Sequence, residues 1–337
     1  MLQPAFIGDV VLALPIAQQL RSTYGPGLQI HFLVRKGNEN LLQNHPAVDQ
    51  AWVWNKRQGK RKALFRLIRQ IRAARFDAIL NPHRFLSSGL MAGFSGAKYR
   101  IGFRKNPLAL RYTHALEHRL GRKNDTDYRH EVERNLTLLQ PLGIPASEGI
   151  RPKLHPAEQD YAKVATLRPE GPFVVLAPAS VWFTKQWPAE RWQQLAGLLS
   201  DRFAVVTVGA PGDAALCQQV ADAAGANGYN LAGQLNFLQT TALMEQAVHV
   251  FSNDSAPLHF ASAANVPTTA IFCSTLPEFG FGPLAGTKHV AQTPQALPCR
   301  PCGLHGKRAC PEGHFKCGWN ITAELVAATL GLPGNSV

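Results

Sequence analysis

An α/β fold with two doubly wound units is predicted by three features of the sequence. Short apolar, β-branched runs alternate with helix-length amphipathic segments, which is typical of parallel strands joined by helical crossovers. The chain of 337 residues is about twice as long as a typical domain. A stretch rich in Gly and Pro, GIPASEGIRPKLHPAEQD, interrupts the alternation and has no periodicity of its own. We therefore expect two domains, residues 1–150 and 151–337.

The first half is predicted to begin with a strand-to-helix junction at FIGDVVLALP, with the helix starting near Val10. Arginines recur at helical spacing between apolar residues from Leu64 to Arg75, which indicates an amphipathic helix with a basic outer face. Another helix is expected over about 128–141. Further strands are predicted at three runs rich in β-branched and aromatic residues, QIHFLV (29–34), AWVWN (51–55) and DAILNP (77–82).

The second half repeats this alternation. Strands are predicted at the beginning of four segments, 172–180, 203–213, 249–264 and 268–272. Helices are expected from about Ala189 to Asp201, near 238–247 and from about Thr322 to Leu330. Because parallel strands end at one edge of a sheet, ligands are expected in a cleft between the two units, where strand ends and helix starts converge.

The positive charge of the chain is confined to its first half. Residues 1–150 hold 23 Lys plus Arg against 10 Asp plus Glu, whereas residues 151–337 hold 12 against 12, so the whole excess of 13 lies in the first half. Nine basic and no acidic residues fall between Lys56 and Arg75. Either this surface is simply solvated, or it attracts an acidic partner such as anionic lipid, a phosphorylated glycan or nucleic acid.

The composition indicates a folded protein outside the membrane. The chain is 45% hydrophobic and 17% charged, and its apolar runs are shorter than the roughly 18 residues needed to cross a bilayer. Its first residues lack the charged region and the cleavage site of a signal peptide. We therefore expect a cytoplasmic protein. Four of its six cysteines lie in residues 299–317, so the rest of the fold cannot depend on disulfides.

A strand-to-helix junction in the second half, SNDSAPLHFASA (252–263), has the features of an anion site. Pro257 suits the first turn of a helix and Ser255 can cap it, which leaves backbone N–H groups to bind an anion. Asp254 would repel a phosphate, so it is expected to brace the turn or to accept a hydrogen bond from a ligand. The alternative is an ordinary capped helix.

Two further junctions support a phosphate ligand. In LAPASVWFTKQWPAERW (176–192), Lys185 precedes a helix that begins at Trp187 and Pro188, and it can reach a diphosphate as a point charge, unless it is only solvated. Gly209 in VGAPGD (208–213) lets a ligand approach the backbone, although this signal alone is weak.

Together these junctions resemble glycosyltransferase family 9, the heptosyltransferases of the lipopolysaccharide inner core. The segments that carry the resemblance occur in family order and are FIGDVVLALP, AGFSGAKYRIGF, HEVERNLTLLQPLGI, KQWP, VGAPGD and NDSAPLHFASA. The resemblance implies a GT-B fold, in which two Rossmann-like domains face a cleft and bind the acceptor and the nucleotide sugar, respectively. It also implies an inverting transfer that needs no metal and no cofactor.

Carried over onto this sequence, the resemblance assigns roles to individual residues. Asp9 takes the place of the catalytic base, and Lys185 that of the lysine on the donor phosphates. Ala256 stands where the family has a glycine. The expected donor-binding residues are Lys185, Gly209, Asp254, Ser255, Ala256 and His259. The expected acceptor-binding residues are Gly8, Arg61 and Arg66.

A catalytic base at Asp9 explains the carboxylate inside the apolar run AFIGDVVLALP. At the end of the first strand, beside a flexible Gly8, it can accept the proton of an acceptor hydroxyl as that oxygen attacks the anomeric carbon. Lys185 and the helix start at Ser255 can stabilise the charge on the leaving nucleoside diphosphate. Because Asp is also favoured at helix starts, Asp9 can alternatively serve only as a cap.

The cysteine-rich segment CRPCGLHGKRACPEGHFKC, residues 299–317, leaves three possibilities open. Four thiols that include a Cys-x-x-Cys pair can surround a structural zinc ion. They can equally be reduced thiols with a structural or acceptor-contacting role, or they can form disulfides. The cysteines concerned are Cys299, Cys302, Cys310 and Cys317.

The sequence thus predicts an inverting glycosyltransferase that moves a heptose-like sugar from ADP-heptose to the lipopolysaccharide core or a related acidic glycolipid. The basic first domain would contact this acceptor or the inner face of the inner membrane, and no nucleic acid is expected as a partner. One alternative is a transferase of the same fold that uses a UDP- or GDP-sugar. The other is a non-enzymatic basic module that binds nucleic acid, against which the second half argues, because it has no net charge and carries the phosphate-binding junctions.

Overall fold

The computed structural model describes residues 1–56, 59–147 and 149–331, which form two compact units. The first unit is Met1–Leu120 with Arg129–His155, and the second is Gly121–Tyr128 with the chain from Pro156 onward. The units therefore divide after His155 and not after residue 150. Within the described ranges, no helix combines the length and the apolar character that a membrane span requires.

The first unit is an α/β structure with parallel strand pairs. Its elements, in chain order, are α1 (Ile7–Tyr24), β1 (His31–Arg35), β2 (Gln50–Trp54), α2 (Lys60–Ala73), β3 (Ala78–Asn81), α3 (Leu86–Gly93), β4 (Tyr99–Phe103), β5 (His114–Leu116) and α4 (Glu131–Leu136).

Three residues at the start of the chain join these strands into one sheet. Gln3 N donates to Leu33 O of β1, and Leu33 N donates to Met1 O, both at 2.9 Å. On the other side, Leu2 N donates to Leu80 O of β3 at 2.9 Å. The strand order is therefore β2, β1, Met1–Gln3, β3, β4 and β5, which is the order of a doubly wound sheet.

Helix α1 begins at Ile7, before the predicted start near Val10, and contains Gly8 and Asp9 in its first turn. Gly8 is thus a helical residue and not a flexible turn, which corrects the prediction. The reason is local, because Asp9 Oδ2 accepts a hydrogen bond from Phe6 N at 3.3 Å and so satisfies an N–H group that the helix leaves without a partner.

Helix α2 has the predicted amphipathic form. Ala63, Leu67 and Ile71 are buried in the core of the first unit. The prediction was wrong for Arg75, which lies beyond the helix with a φ of 51°. Among the side chains of α2 that the structure describes, the exposed basic residues are Arg61, Lys62, Arg66, Arg69 and Arg72.

The second unit is also an α/β structure. Its elements, in chain order, are α5 (Glu158–Ala165), β6 (Phe173–Ala177), α6 (Ala189–Ser200), β7 (Ala204–Thr207), α7 (Ala214–Asp222), β8 (Gly228–Asn230), α8 (Phe237–Glu245), β9 (His249–Asn253), α9 (Ala256–Ala264), β10 (Thr268–Phe272), β11 (Lys288–Gln292), α10 (Lys316–Trp319) and α11 (Ala323–Ala327).

The parallel sheet of the second unit has the strand order β11, β10, β9, β6, β7 and β8. Strands β6, β9 and β10 are buried along their whole length, as expected for the centre of a parallel sheet. The chain runs from β6 to β7 and β8 on one side and then returns to β9 on the other side. The sheet therefore has its switch point between the carboxyl ends of β6 and β9, where such folds bind ligands.

Candidate active site

The carboxyl end of β9 holds the loop that carries Lys185. This loop follows β6, runs from Pro178 to Pro188 and includes a 3-10 turn at Phe183–Lys185. Asn253 Oδ1 accepts a hydrogen bond from Trp187 N at 3.0 Å, and Asn253 Nδ2 donates to Pro178 O at 2.8 Å. One buried side chain thus fixes both ends of the loop.

Lys185 and Asp254 form an ion pair at the switch point of the sheet. Lys185 Nζ lies 2.7 Å from Asp254 Oδ2, and the two side chains are 16% and 9% exposed. Thr275, which follows β10, donates from its hydroxyl to the same carboxylate oxygen at 2.7 Å. An ammonium group has three N–H donors, so Lys185 keeps donors for an anionic ligand beside Asp254. Asp254 was expected to brace the turn or to accept a hydrogen bond from a ligand, and its carboxylate contacts Lys185 and Thr275.

Ser255 occupies the N-cap position of α9, but its side chain makes no capping hydrogen bond, which corrects the prediction that it caps the helix. Ser255 Oγ is buried and has no hydrogen-bond partner among the described residues. Pro257 has no N–H group, and Leu258 N donates to Ser255 O at 3.2 Å. The N–H groups of Ser255 and Ala256 are therefore the donors that this helix start offers to an anion.

The remaining predicted donor residues lie in different surroundings. Ala256 is the first residue of α9 and is half-buried. His259, one turn further along α9, is 5% exposed. Gly209 follows β7, and a Cβ at this position would lie 2.8 Å from Asp213 Cβ. Packing within its own loop therefore already requires a glycine at position 209, whatever ligand binds nearby.

A second group of polar residues lies at the carboxyl edge of the sheet of the first unit, and Asp9 lies at the same edge. His83 follows β3, is buried, and its Nδ1 lies 2.9 Å from Ser88 Oγ. Burial, reinforced by the charges of Lys56 and Arg84, lowers the pKa of His83 to about 4, so its imidazole is neutral at pH 7. Lys56 follows β2 and donates to Pro4 O at 3.1 Å.

The predicted acceptor-binding residues lie on two helices of the first unit. Gly8 is in α1, directly before Asp9, whereas Arg61 and Arg66 are exposed on α2. Arg66 lines a cavity of about 300 Å³ together with Trp54 and Gln70. Arg61 is not one of the residues that line this cavity. Arg66 therefore lies at a concave surface, whereas Arg61 lies on the open face of α2.

Comparison with known proteins identifies the family of this chain. The family model described as glycosyltransferase family 9 (heptosyltransferase) matches residues 64–310. The chain belongs to this family. The predicted resemblance is confirmed, as is the prediction of an enzyme, and the alternative of a non-enzymatic nucleic-acid-binding module is wrong. The matched range begins at residue 64, so it includes Lys185, Gly209 and Asp254 but not Asp9.

Individual relatives of this glycosyltransferase support the same conclusion. Lipopolysaccharide heptosyltransferase 3 of Escherichia coli K12 is 27% identical over 285 residues, which cover 80% of each chain. The structure of E. coli ADP-heptose lps heptosyltransferase II matches with a TM-score of 0.76 at 23% identity and covers 98% of this chain and 96% of that one. E. coli heptosyltransferase WaaC with ADP matches with a TM-score of 0.71 at 19% identity over 98% of both chains. The predicted α/β fold of GT-B type is thereby confirmed.

The four cysteines of the segment 299–317 are free thiols in this glycosyltransferase. Cys299 Sγ lies 4.0 Å from His314 Nε2. Burial, with the nearby Cys302 thiol, raises the pKa of Cys317 to about 12. Among the described residues, no group of three or more His, Cys, Asp or Glu side chains is arranged to hold a metal ion. The structural zinc site stays a prediction, which zinc analysis of the purified protein with and without a chelator would test.

Sequence analysis missed three residues that hold the predicted donor site of this glycosyltransferase, Asn253, Thr275 and Arg300. Asn253 was detectable, because it is a polar residue at the end of the apolar run HVF and comes directly before Asp254. Thr275 and Arg300 carry no comparable signal. The contact of Thr275 with Asp254 depends on β10 lying beside β9, and the contacts of Arg300 depend on β10 lying beside β11, which are properties of the folded sheet.

Proposed function

We propose that this glycosyltransferase transfers a heptose-like sugar from ADP-heptose to the lipopolysaccharide core or a related acidic glycolipid. The observation that carries the proposal is the ion pair of Lys185 and Asp254 at the switch point of the second sheet. The choice of nucleotide and acceptor is supported by the names of similar proteins, which include lipopolysaccharide heptosyltransferases and a heptosyltransferase with ADP. In this proposal, the second unit binds the nucleotide sugar and the first unit binds the acceptor.

The donor diphosphate is proposed to bind between Lys185 and the start of α9. When the bond from the anomeric carbon to the phosphate oxygen breaks, ADP leaves with the bonding electron pair. The ammonium of Lys185, the N–H groups of Ser255 and Ala256 and the positive end of the α9 dipole can stabilise that charge. The buried Ser255 hydroxyl, which has no described partner, would gain one from a phosphate oxygen. These donors do the work that a metal ion would otherwise do, so we propose a metal-independent reaction.

Asp9 is proposed to act as the general base on the acceptor. Its carboxylate takes the proton of the acceptor hydroxyl while the oxygen forms a bond with the anomeric carbon. Attack on the face opposite the departing ADP inverts the configuration at that carbon. The first turn of α1 suits this role, because the positive end of a helix dipole favours a negative charge at the position of Asp9.

Nucleotide specificity tests the proposed donor. We expect ADP to raise the melting temperature of the protein more than UDP or GDP at the same concentration, since a ligand that binds only the folded state stabilises it by mass action. We also expect the protein to turn over ADP-heptose when a purified lipopolysaccharide acceptor is present. A larger shift with UDP or GDP would assign the donor to another nucleotide class, and no shift with any of the three would contradict the donor site.

The acceptor is proposed to reach the enzyme at the cytoplasmic face of the inner membrane. The exposed basic residues of α2 can contact the acidic groups of a glycolipid and of anionic lipids, and such contacts are reversible. Phe65 lies among these basic residues and is 64% exposed, so the same surface also offers an apolar side chain. The surface is therefore proposed to bind the acceptor peripherally, without a membrane span.

Replacing Arg61 and Arg66 together by Gln should raise the acceptor KM by roughly 30-fold at low salt and leave the donor KM unchanged. Each basic residue near an anionic surface contributes about 1 kcal/mol, and about 1.4 kcal/mol corresponds to a factor of ten. Initial rates with the acceptor in anionic vesicles, at low and high salt, measure the effect. Arg202→Gln, an exposed arginine of the second unit, is the matched control. An equal effect of the control, or an equal rise in the donor KM, would contradict the acceptor role.

A further inference from the structure

The cysteine-rich segment 299–317 packs against the donor site through a buried arginine. Arg300 is 9% exposed, and its guanidinium donates to three backbone carbonyls at the end of β10. The acceptors are Cys273 O at 2.7 Å, Phe272 O at 3.1 Å and Thr275 O at 2.8 Å. A fourth bond goes to Gln292 Oε1 of β11 at 2.9 Å. This guanidinium therefore fixes the backbone that follows β10.

A continuous chain of contacts leads from Arg300 to Lys185. Thr275, whose carbonyl Arg300 binds, is 1% exposed and donates its hydroxyl to Asp254 Oδ2 at 2.7 Å. The same carboxylate oxygen lies 2.7 Å from Lys185 Nζ. Because a carboxylate that is held by a neutral hydroxyl and an ammonium has little freedom to rotate, the position of Thr275 sets the position of the lysine.

A second contact of the cysteine-rich segment holds the residue beside Lys185. Thr184 is fully buried, and its N donates to Lys307 O at 3.1 Å. Its hydroxyl oxygen accepts from Lys307 N at 2.8 Å and from Ser274 Oγ at 3.0 Å. At Gly306, a Cβ would lie 2.8 Å from Lys185 Cγ, so the segment also approaches the stem of the lysine closely. The segment therefore contacts the Lys185 loop at two positions, with Lys307 bound to Thr184 and Gly306 close to Lys185.

The hydrogen-bond partners of Arg300 distinguish it from an ordinary buried ion pair. Its four acceptors are three carbonyl oxygens and one amide oxygen, and none of them is a carboxylate. Burying a guanidinium without a contacting anion costs free energy that several hydrogen bonds must offset. Because three of the four acceptors are carbonyls at the end of β10, the guanidinium holds this backbone together, and Thr275 of the same backbone contacts Asp254.

We propose that Arg300 is a positioning residue for the donor site, which acts through Thr275 and Asp254 to hold Lys185 where the donor diphosphate binds. The inference rests on the proposed function, since it presumes a diphosphate ligand at Lys185. In this role Arg300 does not touch the donor. Its effect appears in donor affinity, and the cysteine-rich segment becomes a structural part of the nucleotide-binding unit.

The test compares Arg300→Lys, Thr275→Val and their double variant by calorimetry with ADP and by steady-state kinetics. Each single change should weaken ADP binding about tenfold, the size expected for one hydrogen bond to a charged group, and should raise the donor KM but not the acceptor KM. The double variant should also lose about tenfold, because both residues act along one chain of contacts. In a Lys185→Ala background, Arg300→Lys should have no further effect on ADP binding.

A control variant distinguishes a positioning role of Arg300 from a contribution to folding stability alone. Thr269→Val makes the same change at the opposite end of β10 and should leave ADP binding unchanged. If Arg300→Lys does not fold, Gln292→Met removes one acceptor of the guanidinium at an exposed position and should raise the donor KM in the same direction. Unchanged ADP affinity in the folded variants, or losses that multiply to about a hundredfold in the double variant, would overturn the positioning role. Wild-type protein that binds none of ADP, UDP and GDP would instead overturn the donor site itself.

Discussion

Asp9→Asn is expected to lower turnover by at least about a hundredfold and to leave ADP affinity unchanged, because general-base assistance contributes about 10²- to 10⁴-fold and the amide cannot take the proton of the acceptor hydroxyl. The amide keeps an oxygen that can accept from Phe6 N, so the start of α1 should survive the change. Single-turnover rates with saturating donor and acceptor measure the chemical step, and calorimetry measures ADP binding.

A matched control separates catalysis from helix capping at Asp9. Asp160 Oδ2 accepts from Ala157 N at 2.9 Å at the start of α5, which is the arrangement that Asp9 has with Phe6. Asp160→Asn should therefore have a similarly small effect on the melting temperature and no effect on turnover. If Asp9→Asn retains most of its turnover, or if both variants lose it equally, Asp9 is only a cap.

Lys185→Ala is expected to weaken ADP binding by about 10- to 100-fold, the effect of removing one hydrogen bond from an ammonium to an anion. The loss has a second cause, because the change leaves Asp254 as an uncompensated negative charge at 9% exposure beside the diphosphate. Adding Asp254→Asn to Lys185→Ala should therefore recover part of the lost affinity. Calorimetry measures the ADP affinity of the wild-type protein, of Lys185→Ala and of the double variant.

The specificity of this effect depends on the position of the lysine. Lys163→Ala removes an exposed ammonium from α5 of the same unit and serves as the control, with no change in ADP affinity expected. An unchanged dissociation constant for ADP in Lys185→Ala would remove the lysine from the donor site. If Asp254→Asn failed to recover any affinity, the charge of Asp254 would not act on the diphosphate.

Local patterns predicted most of the elements that surround the site. Strand β10 lies at Thr268–Phe272, the residues where it was predicted, and α6 ends within one residue of its predicted boundary. The start of α1 was predicted less well. The apolar run around Asp9 reads equally as a strand end or as a first helical turn, and the bond from Phe6 N to Asp9 Oδ2 selects the helix.

The sequence by itself determined the alternation of strands and helices, the family of this chain and the placement of Lys185 and Asp254 at strand ends, because these features depend on residues that are close together in the chain. Only the tertiary structure decided that β9 lies between β6 and β10, and so brought Asp254 against Lys185 and Thr275. The physical reason is that the order of strands in a parallel sheet is set by packing over long sequence separations. No local pattern records that order, and the contacts of Arg300 with the end of β10 follow from it.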